Sequence, residues 1–172
     1  MNLKMMLSGK ELKTKQKVLA ISQMLLEKKI SINEIINEAN ESSTAEKATC
    51  IEAMEFATKI NPGISTVALL EFVIESLMEK APRVKWESAK VIGNIIHLYP
   101  GKSDHAINNL LTNSEHAGTV VRWSAAFALG EIVKLKAKQN KELIPAIESI
   151  IQVEENNAIK KIYLAAVKNA TD

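Results

Sequence analysis

Six residues have the types and the spacing to meet a partner: the cations Lys47, Lys85, Arg122 and Lys160, and the tryptophans Trp86 and Trp123. The cations recur every 37 or 38 residues, and each tryptophan directly follows one of them. A row of cations suits phosphate or acidic ligands. Tryptophan beside lysine or arginine is the combination that dominates interface energies. Bond-making chemistry has less to draw on. His97, His105 and His116 lack the i, i+4 spacing of a metal-binding pair, and no cysteine pair accompanies them. The single Cys50 falls on the apolar side of its helix near Ile51 and Met54, where a packed thiol is expected. No glycine-rich phosphate loop and no Gly-x-Ser-x-Gly string occurs. The acidic pairs Glu52/Glu55, Glu71/Glu75 and Glu154/Glu155 stand without an accompanying site. The chain is therefore expected to be no enzyme and to carry no cofactor and no metal ion.

The elements that must position these residues are helices. The chain has 172 residues, 47% of them apolar, 24% charged and 4% aromatic, a globular composition at a length that supports one core. Charges interrupt every apolar run before it reaches bilayer length, so no membrane partner is expected. A net charge of +2 gives no strong pull toward nucleic acid or anionic membranes. The first residues lack the apolar segment of a secretory leader, which with the lone thiol points to the cytoplasm.

Helical periodicity runs through the chain from Glu11, and no segment shows sustained strand alternation. Ser8 with Glu11, Ser31 with Glu34 and Ser43 with Glu46 have capping-box spacing, while Asn61-Pro62-Gly63 and Tyr99-Pro100-Gly101 read as stops. The spacing predicts nine helices over 9–29, 31–39, 44–60, 64–80, 82–99, 103–113, 118–137, 140–153 and 156–170. Links this short force antiparallel hairpins.

The hairpins repeat. The segment from Val84 to Ile95 lies over that from Val121 to Ile132 at an offset of 37, with identities at Val, Trp, Ala, Gly and Ile and a Lys/Arg exchange. A shift of 38 upstream sets Lys47, Ile51, Ala53, Met54, Pro62 and Gly63 under Lys85, Ala89, Val91, Ile92, Pro100 and Gly101. The same shift downstream sets Ile159, Lys160, Ala166 and Val167 under Val121, Arg122, Ala128 and Leu129. Such a period marks stacked two-helix units. Equivalent tryptophans in adjacent units should then lie about 10 Å apart, the usual spacing of packed helices. Buried, they would fill the space between helix layers; exposed, they would form an aromatic and cationic patch. Gly93 and Gly130, inside helices at a cost of about 1 kcal/mol each, are read as points of close helix approach.

The string Val-Val-Arg-Trp-Ser-Ala-Ala-Phe-Ala-Leu-Gly-Glu-Ile at 120–132 resembles the HEAT-repeat family, in its bacterial HEAT-like branch of ARM-type α-solenoids. Leu143 to Ile151, with Pro145 one turn in, is similar to the family's first helix. The resemblance covers 43–170, with 1–42 as a degenerate first unit or cap of one domain, 1–172. It implies an all-α, right-handed superhelix of about four hairpins behind an extra helix, with second helices 44–60, 82–99, 118–137 and 156–170 lining a concave face. The family's ladder of ion pairs between neighbouring units would use Lys47, Lys85, Arg122 and Lys160 with the acids six residues before them, Glu41, Glu79 and Glu154, and is broken at His116. The implied function is non-catalytic protein binding on the concave face through Lys47, Lys85, Trp86, Arg122, Trp123 and Lys160, with self-association possible through the terminal helices. Nucleic-acid or phosphate binding along the cationic row is the alternative. Two enzyme-like relatives of that fold, bilin lyases and DNA glycosylases, share the architecture. A glycosylase depends on a catalytic aspartate, whereas Asp104 and Asp172 both lie off the second helices. For the lyases only the repeat string is shared.

Overall fold

The computed structural model describes residues 2–171. Within them lie ten α-helices and no strand: α1 (Leu3–Ser8), α2 (Thr14–Leu26), α3 (Ile32–Glu41), α4 (Thr44–Ile60), α5 (Val67–Ser76), α6 (Pro82–Ile95), α7 (Ser103–Ser114), α8 (Thr119–Val133), α9 (Asn140–Val153) and α10 (Asn157–Thr171). No helix among the described residues is long and apolar enough to cross a membrane.

Local chemistry explains most boundaries. Ser31 and Ser43 cap α3 and α4, accepting from the Glu34 and Glu46 N–H groups while those carboxylates accept from the serine N–H groups, so both capping boxes close. Thr66 Oγ1 accepts from Leu69 N–H at 3.1 Å and starts α5 three residues later than expected, after a 3-10 turn at Pro62–Ile64. The first expected helix, 9–29, is shorter, running as α2 over Thr14–Leu26, and a separate helix that was not expected, α1, precedes it. Ser8 ends α1 and donates to the Lys4 carbonyl at 3.0 Å, so it does not cap anything with Glu11. The backbone turns extended at Gly9, and α2 begins only at Thr14. Two helices, rather than one, therefore precede the four hairpins α3/α4, α5/α6, α7/α8 and α9/α10.

The layers follow from contact. Helices α2, α4, α6, α8 and α10 pack side by side in that order, while α3, α5, α7 and α9 touch one another sparsely. Close spacing on one side and splaying on the other is how a stack of hairpins curves, so the even-numbered helices form the inner layer. Small residues permit that spacing: Ala48, Ala53 and Ala57 on α4, Ala89 on α6, and Ala125, Ala126 and Ala128 on α8 are all buried. Buried apolar residues from Leu3 to Ala166 form one cluster, fed from the outer layer by Leu69, Leu70, Val73, Leu110 and Ile147.

The two helical glycines separate. A Cβ on Gly93 would stand 2.3 Å from Cε1 of Phe127, so the Phe127 ring from α8 lies flat over the missing side chain of α6. A Cβ on Gly130 would be 3.6 Å from the Ala166 Cβ, an ordinary contact. Close approach thus applies at Gly93, through an aromatic ring rather than backbone, and does not require glycine at Gly130.

Candidate functional site

Each of Lys47, Lys85 and Arg122 reaches from the start of a second helix into the next unit or the turn before its own. Lys47 Nζ lies 2.5 Å from Glu79 and 4.9 Å from the centre of the Phe72 ring on α5. Lys85 Nζ donates to the Leu77 carbonyl at 2.9 Å and to Asn113 Oδ1 on α7 at 3.0 Å, and burial pushes its pKa down. Arg122 grips Glu154 in a fork, Nε to Oε2 at 2.9 Å and Nη2 to Oε1 at 3.3 Å, while Nη1 donates to the His116 and Ala117 carbonyls. That hydrogen-bonded fork holds the Glu154 carboxyl below its ordinary range. The pairs join each unit's cation to the following unit's acid, and at the slot of His116 the neutral Asn113 takes the acid's place. These three cations face the outer layer. Lys160 is half-buried at the start of α10, and among the described residues it joins no ion pair.

The tryptophans face the other way. Trp86 is half-buried on α6, and its Nε1 donates to Glu87 Oε1 at 2.7 Å. Trp123, 39% exposed, stacks on Phe127 with ring centroids 6.0 Å apart and an interplanar angle of 11°. Phe127 in turn covers Gly93 of α6. Neither tryptophan is a core residue. Both lie on the inner layer, and the cations that precede them in sequence do not share their surroundings.

From Trp86 toward α4 runs a charged network that the sequence reading missed. Arg83 pairs with Glu52 and reaches Thr49. Lys90 stands between two carboxylates, 3.0 Å from Glu87 and 3.4 Å from Glu55, both of them buried. Asn94 Nδ2 donates to the Glu55 carbonyl at 3.1 Å and to Thr58 Oγ1 at 3.2 Å, closing the network on α4. Burial raises the Glu87 carboxyl against the pull of Lys90 and Trp86. For Lys90, burial works against the charged form and the two carboxylates outweigh it, so its pKa rises. Two buried carboxylates share one ammonium, which leaves a surplus negative charge beside Trp86.

The repeat register carried a signal for this network. Glu87 occupies the slot that Thr49 and Ser124 fill in the neighbouring units, and Glu55 the slot of Gly93 and Gly130. Positions that hold small residues in those units hold buried carboxylates here, a local break with the packing rule of the kind expected at functional sites. Cys50 is fully buried and burial pushes its thiol up to about 12, which disfavours the thiolate.

No protein-family model and no curated protein matches the sequence. Solved structures do match the fold. A designed armadillo repeat protein in complex with the peptide (KR)4 superposes with a TM-score of 0.75 at 18% identity, over 98% of this chain and 80% of that one. A second designed armadillo repeat protein gives 0.72 at 18% identity over the same shares. The complex of CpcE and CpcF of phycocyanin lyase from Nostoc sp. PCC7120 gives 0.72 at 16% identity, over 95% of this chain and 96% of that one. At these identities the likeness shows the fold, an all-α solenoid of the armadillo and HEAT type.

Proposed function

Starting from an armadillo/HEAT-type solenoid, we propose that this chain is a non-catalytic scaffold that binds a protein segment along the inner face of α4, α6 and α8. The observation that carries the proposal is the partly exposed ring set Trp86, Trp123 and Phe127 on the inner layer, with Trp86 hydrogen-bonded to Glu87 of the buried pair Glu55 and Glu87, which share Lys90. Rigid aromatic anchors supply contact area at little entropic cost, and a buried surplus charge favours a partner side chain of opposite sign. A cationic segment meets both requirements. The designed armadillo protein that shares the fold is complexed with a peptide of alternating lysine and arginine, which supports the reading. The proposed contact set is Trp86, Trp123 and Phe127, with the buried Glu55 and Glu87 acting through their charge from beneath; Lys160, in the register position of the three outward-facing cations, is assigned no contact. Lys47, Lys85 and Arg122 we assign to holding adjacent units in register. That assignment removes the cationic row on which nucleic-acid binding would depend.

The test is fluorescence anisotropy with labelled (KR)4 and with an acidic peptide of the same length. The wild-type chain is expected to bind the cationic peptide more tightly, and Trp123→Ala to weaken it about tenfold or more without loss of helical signal. Equal binding of the two peptides would defeat the charge argument. Capture of the same lysate proteins by Trp123→Ala as by the wild type would defeat the choice of face.

A further inference from the structure

The net charge of +2 conceals a sorted distribution. Between residues 4 and 17 stand Lys4, Lys10, Lys13, Lys15 and Lys17 against the single Glu11, whereas residues 30–79 hold nine glutamates and two lysines. The five lysines converge at one corner of the molecule. Lys4 lies on α1, Lys10 in the link, and Lys13, Lys15 and Lys17 at the start of α2. The Lys17 ammonium reaches back to the Leu7 carbonyl at the end of α1, which fixes the two helices against each other. Lys4, Lys10, Lys13 and Lys15 are exposed, and no ion pair among the described residues involves them.

Their placement runs against helix stability. The start of a helix carries partial positive charge and favours acids. Helices α3 and α4 obey that rule with Glu34 and Glu46 in their first turns, but α2 has no acid in its first turn and lysines at 13, 15 and 17. Lys13 also has no side-chain oxygen with which to cap, so only Gln16 contributes, accepting from the Lys13 N–H at 2.9 Å. Unlike Lys85 and Arg122 at the starts of α6 and α8, which are held by partners, the exposed lysines here leave their charge open to an external anion. The patch contains no arginine fork and no aromatic ring on which a base would stack, since the first aromatic residue of the chain is Phe56. It does contain Met5, 65% exposed and next to Lys4. Point-like ammonium groups around a projecting apolar side chain fit a surface that is anionic outside and apolar beneath.

We propose that the α1–α2 corner is a peripheral docking surface for an anionic lipid bilayer, with Lys4, Lys10, Lys13 and Lys15 on the headgroups and Met5 at the acyl boundary. Surface contact of this kind needs no spanning helix. It uses none of the residues assigned to the inner-face contact, and it stands independently of that reading. The test is sedimentation of the full chain with phosphatidylcholine vesicles, with and without a third of the lipid replaced by phosphatidylserine. The chain should pellet with the anionic vesicles only and be released as salt shortens the Debye length. Each lysine neutralised should lower partitioning about fivefold, and the variant carrying Lys4→Gln, Lys10→Gln, Lys13→Gln and Lys15→Gln together by roughly 500-fold. Met5→Ser should lower it further at unchanged charge. The wild-type salt series stands even where the fourfold variant folds poorly. Absence of pelleting at low salt, pelleting that ignores salt, or tighter binding to duplex DNA than to the vesicles at the same salt would each overturn the assignment.

Discussion

Replacing Gly93 and Gly130 by alanine, one at a time, separates two explanations of why glycine stands inside a helix. On helix propensity alone both changes stabilise, by about 1 kcal/mol each. At Gly130 nothing opposes that gain, because the new methyl would meet the Ala166 Cβ at 3.6 Å. At Gly93 it would lie 2.3 Å from Cε1 and 2.7 Å from Cδ1 of Phe127. The half-buried ring can move aside only by giving up its stack on Trp123, at a centroid distance of 6.0 Å. Overpacking of this kind costs about 1–3 kcal/mol, so Gly93→Ala should come out between neutral and about 2 kcal/mol destabilised after the propensity gain. The two variants should therefore differ by at least about 1 kcal/mol in urea-unfolding midpoints converted with a common slope. The cycle with Phe127→Ala completes the case. Once the ring is gone, Gly93→Ala should recover the full propensity gain, giving a coupling of about 1–3 kcal/mol. A Gly93→Ala chain as stable as the Gly130→Ala chain, or a coupling near zero, would refute the claim that the ring occupies the glycine's space.

Removing Arg122 by substitution with Ala should cost roughly 2–4 kcal/mol, because it strands the buried Glu154 carboxylate, whereas Lys102→Ala, whose pair with Glu71 is exposed on both sides, should cost under about 0.5 kcal/mol; parallel thermal melts check the contrast. Because Arg122 depresses the Glu154 pKa in the folded chain, that stabilisation is complete above the ordinary carboxylate range and is lost as pH falls through the lowered value, so wild type and Arg122→Ala should converge in stability on the acid side. Glu87 has the opposite sign. Its raised carboxyl makes the fold lose stability as pH rises from the unfolded carboxylate pKa through the folded one, so Glu87→Gln should flatten the pH profile in that window and leave neutral-pH stability equal or higher, as a pH series of melting temperatures would record. Ser43→Ala opens a closed capping box and should lower stability by about 1 kcal/mol in the same melts, with the loss confined to α4 in amide exchange.

The parts of the fold that were legible in the sequence are those set by local rules or by repetition. Ser31/Glu34 and Ser43/Glu46 capped as their spacing required, and the offset of 37 between Val84 and Val121 located two stacked units. The failure at Ser8 has a clear cause. The pattern Ser-x-x-Glu was present, but Met6 and Leu7 bury their side chains by continuing a helix into Ser8, and burial outweighed the cap. The charged network was harder to see because its members come from different helices and different slots. Glu55 on α4 meets Lys90 and Asn94 on α6, and no spacing within one helix connects them. Likewise, Lys85 and Trp86 are neighbours in sequence yet face opposite layers, since one residue is about 100° around a helix.

The joints between units differ in what holds them. Lys47 with Glu79 and Arg122 with Glu154 bridge the first and last joints by full, partly buried charges, but the middle joint has Lys85 on the neutral Asn113 and only the solvent-exposed pair Lys102–Glu71, and is locked by the Phe127 ring seated on Gly93. Trp86 and Trp123 stand on either side of that middle joint. Their separation is therefore a gauge set chiefly by shape, since an ion pair exposed on both sides contributes little. Salt or acid that loosens the outer joints would let the two ends of the array breathe while the span between the tryptophans stays constant, so the face offered to a partner keeps its dimensions over conditions in which the rest of the curvature changes.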